Sequence, residues 1–368
     1  MKKLLLATTA LTLSAGVAAA DVSLSGDARM GLLYDGSDVN LTSRARVTFT
    51  LSGETDSGMA FGGSFRADNA GGAAAGTAGS VFISGEFGRL AFGDVAGAAR
   101  SATGDLHGVG LTGLGDRNEM QYVDRLSNGI NGTAALALGA NPEVGPDLDA
   151  LTTLGVGFNV NTGLNSLPRA LYTYSIDGFS VYASVAYSKS NRLGVTDLSL
   201  TDPVDGFRVD TALGLSAPVS TTLTEFSVGA SYEIDGFMVA AGYEQARVKI
   251  SGFDAFFGSS TVDGSTKLGH ATLAAQYSMD GITAKAIYGR AMDDLADLVA
   301  DKNQYGVSMS ATFDATTVSA FARRDFGKTD HYGLGARYDL GGGAALAGGV
   351  AKSKGSDAVA DLGLAFSF

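Results

Sequence analysis

The chain closes with the stretch AVADLGLAFSF at residues 358–368, in which apolar side chains recur with a period of two. Leu362, Leu364 and Phe366 fall on one face of this stretch, and Asp361 falls on the other. A period of two places successive side chains on opposite faces of a β-strand. The chain is therefore predicted to end in a two-faced strand whose last residue is aromatic.

The first segments after residue 20 follow the same rule. Leu24 and Met30 alternate with Asp27 and Arg29, and the range 41–51 alternates with the opposite parity. Alternating segments of about ten residues suit tilted strands that cross a bilayer core about 30 Å thick, whereas soluble sandwiches favour about five or six. Because every backbone group in lipid needs a partner, such a sheet must close on itself. The pattern predicts an all-β fold, a closed antiparallel transmembrane β-barrel.

The first twenty residues predict an export signal. Lys2 and Lys3 precede an apolar stretch that ends in Ala18-Ala19-Ala20, which is the order of a cleavable signal peptide. We expect residues 1–20 to be removed, leaving residues 21–368 as one barrel domain. Loss of two lysines, each +1, changes the formal net charge from -12 to -14. So acidic a protein is not expected to bind nucleic acid.

Short turns between the alternating segments set the strand count. Three of them share an aromatic residue, Asp-Gly and an apolar residue, at 174–179, 232–237 and 277–282. Asp-Gly favours two-residue hairpins because the central residues need positive φ. Eight turns, among them Asn128-Gly129, alternate with longer connections. This count predicts sixteen to eighteen strands, and the higher numbers depend on further alternation within 131–169.

Several blocks, in order along the chain, resemble the general porins of alphaproteobacteria, especially the Rhodobacter type. They include LSGDARMG at 24–31, SRARV at 43–47, TDSG at 55–58, YDLGGG at 338–343 and VADLGL at 359–364, while 128–137 departs as an extra hairpin. The resemblance implies a sixteen-stranded barrel, a homotrimer and a third loop folded inward to narrow a pore. It also implies a water-filled outer-membrane channel of a Gram-negative bacterium, through which ions and small hydrophilic solutes diffuse passively. Implied partners are outer-membrane lipids, lipopolysaccharide, and barrel-assembly machinery that reads the terminal Phe368.

Strand parity assigns a group of basic side chains to the barrel interior. They occupy the polar faces of the first three strands and are Arg29, Arg44, Arg46 and Arg66. An unpaired charge facing lipid would cost about 2–4 kcal/mol at the bilayer midplane. These arginines are therefore predicted to form one wall of a constriction, although they could also be ordinary solvated lumen residues. Arg337 is inward by parity and could extend the wall.

The segment that follows the fifth strand is the candidate for the inward loop. It covers 94–119, is rich in small residues, and carries the acids Asp94, Asp105, Asp116 and Glu119. Acids on a loop that faces an arginine wall would create a transverse field and sort solutes by size and charge. The alternative is a surface loop that carries acids simply because the protein is acidic. The excess of acids suggests a preference for cations, which the arginines oppose.

Cofactor chemistry finds little support in the sequence. The absence of cysteine excludes disulfides, thiolate catalysis and Cys-ligated zinc. No cofactor is expected, apart from structural calcium held by carboxylate oxygens. The candidate ligands are Asp293, Asp294, Asp297 and Asp301, which could equally form a solvated face.

The rival classes each lack a required feature. An enzyme is not expected, because the chain has no Gly-x-Ser-x-Gly elbow and no Ser–His pair could be placed on one strand face with an acidic partner. His270 and His331 are predicted to line the pore. A string of sandwich domains would need linkers, and a plugged adhesin or receptor barrel would need a plug domain. A solute-specific channel remains an open alternative to a general one.

Overall fold

The computed structural model describes residues 21–70, 79–125, 157–158, 168–190, 198–201, 208–211, 220–254 and 261–368. Within these ranges, sixteen strands close into one antiparallel barrel. They are β1 (Asp21–Tyr34), β2 (Val39–Glu54), β3 (Ala60–Ala70), β4 (Ser80–Gly85), β5 (Gly88–Gly93), β7 (Arg169–Ile176), β8 (Phe179–Ser190), β11 (Ser220–Ile234), β12 (Phe237–Asp254), β13 (Thr261–Met279), β14 (Ile282–Asp293), β15 (Asn303–Phe313), β16 (Thr316–Arg324), β17 (Asp330–Gly341), β18 (Ala344–Ser353) and β19 (Val359–Ser367). A separate sheet contains β6 (Gly157–Phe158), β9 (Leu198–Thr201) and β10 (Arg208–Thr211). The predicted signal at 1–20 lies outside the described residues.

The barrel closes through its first and last strands. β1 pairs with β2 on one side, where Asp27 lies opposite Arg46, and with β19 on the other, where Ala28 lies opposite Phe366. Closure leaves no sheet edge, so no row of backbone N–H and C=O groups is left without partners in lipid. The chain end that decided the sequence prediction is thus the strand that completes the barrel.

The predicted count of sixteen strands is confirmed, and the alternatives of seventeen and eighteen are wrong. β5 pairs directly with β7, so no strand lies between these two in the barrel. The alternation seen around Phe158 belongs to β6, which pairs with β9 outside the barrel. Periodicity indicates that a segment is a two-faced strand, but it does not indicate which sheet the strand joins. The predicted turn at Asn128-Gly129 lies outside the described residues.

The predicted short turns lie at one end of the barrel. Asp177, Asp235 and Asp280 adopt φ of 48°, 48° and 49°, and each precedes a glycine with φ between 77° and 79°. Two consecutive residues with positive φ give the hairpin turn that matches the twist of the strands. Longer connections lie at the other end, which we call the long-loop end.

Apolar side chains cover the outer surface. Leu24 is 65% exposed, Leu41 is 88% exposed and Leu362 is 56% exposed, as parity predicts for a lipid-facing wall. The three largest fully buried side chains in the described ranges, Tyr122, Leu114 and Met120, belong instead to a loop inside the barrel. No helix in the described ranges is long and apolar enough to cross a membrane.

Candidate functional site

The connection that follows β5 folds into the barrel, and we call its described part, residues 94–125, the inward loop. Its first turn of helix, α1 (Ala98–Thr103), packs against β8, β11 and β12. The chain then runs along the inner wall to Thr112, which contacts β19, and returns to Arg125. The predicted inward segment is therefore confirmed in position, and it extends six residues beyond the predicted end at Glu119.

Polar groups from the wall hold the start of α1. The backbone N–H of Gly97 donates to Asp124 at 2.8 Å, that of Ala98 to Ser184 at 2.9 Å, and that of Ala99 to Ser227 at 2.7 Å. The first N–H groups of a helix have no partner within the helix. Here two strands and the returning loop satisfy them, which fixes α1 against the wall.

Lumen-facing glycines make room for the inward loop. A Cβ atom at Gly229 would lie 2.6 Å from the carbonyl oxygen of Ala98, and one at Gly349 would lie 2.8 Å from the backbone nitrogen of Gly110. Gly242 and Gly335 are similarly close to loop backbone atoms. Glycine within a strand often marks a place where another backbone approaches closely. Glycines at inward-facing strand positions were therefore a signal in the sequence for the path of the loop. The sequence analysis missed this signal.

A single carboxylate on β19 fixes the tip of the loop. Asp361 accepts hydrogen bonds from the backbone N–H of Leu111 at 2.9 Å, from that of Thr112 at 2.6 Å and from the Thr112 hydroxyl at 2.7 Å. Hydrogen bonds to a charged acceptor contribute about 1.5–3 kcal/mol each. Asp361 had been placed on the polar face by parity, but its role in holding the loop could not be seen in the sequence.

A buried ion pair holds the returning end of the loop. Arg169 on β7 and Glu225 on β11 approach to 2.9 Å, and their side chains are 3% and 1% exposed. Arg169 also donates to the backbone oxygen of Asp124 at 3.2 Å. Asp124 in turn accepts from Arg100 at 2.9 Å. The wall, α1 and the returning loop are therefore joined by one charged network.

Replacing Glu225 with Gln is expected to destabilise the barrel by about 3–5 kcal/mol, because the substitution leaves the Arg169 charge buried without its carboxylate. Urea unfolding in detergent micelles, followed by circular dichroism, measures the loss. The control is Asp297→Asn, since Asp297 and Lys302 are 83% and 54% exposed and lie 3.7 Å apart. That variant should change stability by less than about 1 kcal/mol. Equal effects of the two variants would contradict the assignment.

His270 is buried beneath the loop, so the prediction that it lines the pore is wrong. Its Nδ1 lies 2.7 Å from Glu244, and its Nε2 lies 3.1 Å from the side-chain nitrogen of Gln304. The Gln304 amide is fixed in orientation, because it accepts from the Gln121 N–H at 2.9 Å and donates to the Gln121 carbonyl at 2.6 Å. Nε2 is therefore the acceptor, and Nδ1–H donates to Glu244.

His331 is also largely buried, and it corrects a second expectation. Its ring nitrogens lie 2.8 Å from Ser353 and 2.8 Å from Asp325, so a Ser–His–acid set does share one face of the wall. Burial opposes ionisation of Asp325, but hydrogen bonds from His331 and from the Thr329 N–H outweigh it and hold the pKa of Asp325 below its ordinary value. Ser353 is 9% exposed and accepts from Arg117 on the loop at 3.1 Å. The set acts as another loop anchor.

The four predicted wall arginines do lie together on β1–β3, and we call them the arginine cluster. Arg44 contacts Asp27 at 2.7 Å, and Arg46 and Arg66 both contact Asp68, at 3.2 Å and 2.5 Å. Arg29 donates to the carbonyl oxygen of Thr112 at the loop tip, at 3.3 Å. The inward charge is therefore partly balanced by acids on the same strands. Arg337 lies on β17 away from this cluster, near the short-turn end.

The four acids predicted for the inward loop lie in two separate places. Asp94 stays at the end of β5 and interacts electrostatically with Arg66. Asp105 and Glu119 share Arg125, at 3.0 Å and 2.9 Å, and Asp116 lies within their electrostatic range. We call Asp105, Asp116 and Glu119 the loop acids. Burial raises the pKa of Glu119, Arg125 lowers it, and Asp105 raises it further, so that it lies above its ordinary value.

The acidic run considered for calcium uses its carboxylates locally. Asp293 pairs with Lys267 at 3.1 Å, Asp294 accepts from the Lys267 N–H at 2.7 Å, and Asp301 accepts from the Asn303 N–H at 3.0 Å. In the described part of the chain, no group of three or more acidic or histidine side chains is arranged to hold a metal ion.

A closed sixteen-stranded barrel with a loop held inside it defines a membrane channel of the porin class. The Gram-negative porin family matches residues 7–358. A porin of Rhodobacter capsulatus is 34% identical over 359 residues, which are 95% of this chain and 100% of the relative. A solved porin structure is 32% identical with a TM-score of 0.61, and it covers 95% of this chain and 100% of its own. A mutant Rh. blastica porin, 22% identical with a TM-score of 0.59 and the same coverage, shares the fold.

The chain belongs to the Gram-negative porin family. It is an outer-membrane channel and not an enzyme, as the sequence predicted.

Proposed function

We propose that the channel is water-filled and general, and that it sorts ions and small hydrophilic solutes by size and charge. The observation that carries the proposal is the path of the inward loop, which lines the wall from β8 round to β19. The arginine cluster on β1–β3 is the inner wall that faces the remaining space. Solutes would pass between this cluster and the loop.

Charges on the two sides support sorting by a transverse field. The arginine cluster carries four positive charges beside Asp27 and Asp68, and the loop acids carry three negative charges beside Arg125. Fixed charges of opposite sign across a narrow pore orient dipolar solutes and make passage of bulky apolar molecules unfavourable. Such a pore selects solutes without catalysing a reaction.

Swelling of liposomes that contain the purified protein tests the general channel. Uncharged sugars of rising mass should enter at rates that fall smoothly with size, and isomers of equal mass should enter at equal rates. Liposomes with heat-denatured protein are the control. A large difference between isomers would favour a solute-specific channel instead. No swelling with any sugar, although the barrel has inserted, would contradict a diffusion channel.

Glu119 should make ion selectivity depend on pH. Because its pKa lies above the ordinary value, Glu119 takes up a proton earlier than an ordinary glutamate as pH falls. The loop then loses negative charge, and the ratio of potassium to chloride permeability should fall. Glu119→Gln should show the low-pH selectivity already at neutral pH and lose that part of the titration, as measured by reversal potentials in a salt gradient. Asp56→Asn, which removes the same charge in a short turn, should titrate as the parent does.

We propose that the protein forms a homotrimer, because the outer wall is short at β4 and β5. Each of these strands has six residues, about 20 Å at 3.3 Å per residue even without tilt, and less than the apolar band of about 25 Å. A groove of about 770 Å³ above them is lined by apolar side chains that include Phe65, Val81 and Phe92. These side chains are 46%, 60% and 50% exposed. Burying them against neighbouring copies removes both the mismatch and the exposed groove.

Native mass spectrometry of the detergent-solubilised protein tests the trimer. The parent should have the mass of three chains, and Phe92→Ser should shift the population toward single chains. Val307→Ser, on the outer face of β15, is the matched control and should leave the mass unchanged. A parent that runs as single chains in several mild detergents would contradict the proposal.

We further propose that residues 1–20 are cleaved on export and that assembly machinery reads Phe368. The Phe368 side chain is 80% exposed at the barrel end, where its backbone N–H donates to Gly26 at 2.9 Å. The intact mass of the mature protein tests the cleavage.

A further inference from the structure

His270 lies where the barrel wall, the inward loop and the connection between β16 and β17 meet. Its side chain is fully buried, with 0% of its surface exposed. The rings of Tyr122 from the inward loop and Phe326 from the connection stand edge-on against it, with ring centroids at 5.6 Å and 5.5 Å. A buried polar group must find its hydrogen-bond partners within the protein. Any proton that the imidazole gains therefore needs an acceptor among its neighbours.

Gln304 on β15 connects this imidazole to the loop. Its amide nitrogen lies 3.1 Å from Nε2 of His270 and donates to the Gln121 carbonyl at 2.6 Å, while its amide oxygen accepts from the Gln121 N–H at 2.9 Å. The two hydrogens of the amide nitrogen are thus divided between the imidazole and the loop. The Gln121 side chain in turn accepts from the Phe326 N–H at 2.9 Å. A neutral imidazole with Nε2 unprotonated fits this chain of contacts.

A second proton on the imidazole is incompatible with this arrangement. It would place the Nε2–H of His270 opposite the amide nitrogen of Gln304, which is also a donor. The Gln304 amide could accept from that Nε2–H only after a half turn. Its oxygen would then face the Gln121 carbonyl and its nitrogen would face the Gln121 N–H, so both hydrogen bonds to the loop would be lost. A charged His270 and the docked backbone of Gln121 therefore exclude each other.

The other charged and titratable groups around His270 do not reverse this direction. Glu244 stays beside Nδ1 whether the loop is docked or released, because both residues belong to the wall. Asp124 leaves together with Arg100, which lies 2.9 Å from it, so the loop carries away a paired charge. The neighbouring elements also bring Arg169 with Glu225, Asp325 with His331, and Tyr122, whose hydroxyl is hydrogen-bonded to Thr103. Acid therefore favours the released loop.

We propose that His270 is an acid-sensitive switch for the inward loop: when the imidazole becomes charged, Gln304 turns and releases the returning end of the loop at Gln121. The switch acts on the position of the loop, whereas Glu119 acts on its charge. Losing two hydrogen bonds between buried groups should lower the ratio of docked to released loop by about tenfold or more. The readout in current rests on the proposed channel, because a released loop must border the path of the ions to disturb it.

Single-channel recordings at about pH 7 and about pH 4, on either side of the range in which histidine usually gains its proton, test the switch. The parent should conduct steadily at the higher pH and fluctuate between current levels at the lower one. His270→Gln keeps an oxygen that can accept from the Gln304 amide but cannot gain a proton, so it should stay steady at both. Gln304→Leu removes both hydrogen bonds to Gln121 and should fluctuate at both.

The matched control is His107→Gln, which removes another histidine that lies on the inward loop. His107 contacts Ser308 at 2.8 Å, four residues along β15 from Gln304. This variant should keep the acid response of the parent. A parent that stays steady at the lower pH, or a His270→Gln variant that fluctuates there as the parent does, would overturn the switch. Loss of the response in His107→Gln alone would do the same, because the titrating group would then be His107.

Hydrogen exchange at the Gln121 amide follows release without any current. Compared at the same low pH, the parent should exchange as fast as Gln304→Leu and about tenfold faster than His270→Gln. Equal exchange by the parent and His270→Gln would contradict the switch. A protein that shows the expected exchange pattern but conducts no current would contradict the channel proposal and leave the switch in place.

Discussion

Replacing Asp361 with Ala is expected to release the tip of the inward loop and make the channel current unstable. The carboxylate accepts three hydrogen bonds from Leu111 and Thr112. A loss of about 3 kcal/mol or more follows from removing a charged acceptor of several such bonds. That lowers the ratio of docked to undocked tip by about 100-fold or more. Single-channel recordings should show frequent transitions between current levels where the parent shows one steady level.

The matched control for this variant is Asp56→Asn, which lies in the short turn between β2 and β3 and does not touch the loop. It should give the steady current of the parent. Asp361→Asn should fall between the two, since an amide oxygen still accepts a hydrogen bond but carries no charge. If Asp361→Ala conducts as steadily as the parent at the same level, the loop tip does not border the path of the ions.

Removing two members of the arginine cluster is expected to shift selectivity strongly toward cations. Arg44→Ala with Arg46→Ala deletes two positive charges and leaves Asp27 without Arg44, and Asp68 with Arg66 alone. A unit charge about 4 Å away in water changes the energy of an ion by about 1 kcal/mol, and this corresponds to roughly fivefold in permeability. The potassium-to-chloride ratio, obtained from reversal potentials, should rise by about that factor or more. Loss of two long side chains should also raise the conductance.

Arg337→Ala serves as the control for the double variant. Arg337 also has inward parity, but it lies near the short-turn end of β17 and outside the cluster. Its removal should change selectivity much less. Equal shifts from the two variants would mean that total lumen charge, and not the position of the arginine cluster, sets selectivity.

Strand parity was the part of the molecule most open to prediction. The alternation of Arg44 and Arg46 with exposed apolar neighbours such as Val47 was enough to place the arginines inside, because a two-faced strand in lipid has only one side for charge. The same reasoning placed Asp361 inward. Most of the barrel therefore follows from the local pattern, because most of its strands pair with the strand next to them in sequence.

Contacts made by the inward loop were not predictable in the same way. Asp361 and Thr112 are separated by 249 residues, and His270 and Gln304 by 34. Strand parity predicted that these side chains point into the barrel, but it did not predict that the loop covers them. His270 was therefore predicted to line the pore, whereas it is buried. The lumen-facing glycines were a partial signal, since Gly242 lies where only a residue without a side chain admits Ala99. The higher strand counts were wrong at Phe158, because alternation cannot tell a barrel strand from a strand of a small separate sheet.

The central claim, an open path lined by the arginine cluster, is tested most directly by a single reactive position in the pore. The chain has no cysteine, so Arg44→Cys introduces a unique thiol for water-soluble cationic and anionic methanethiosulfonate reagents. Recorded in a planar bilayer, this variant should show stable current steps that change during labelling. The cationic reagent should shift selectivity toward anions and the anionic reagent toward cations. Unchanged current after labelling that mass spectrometry shows to be complete would contradict the account.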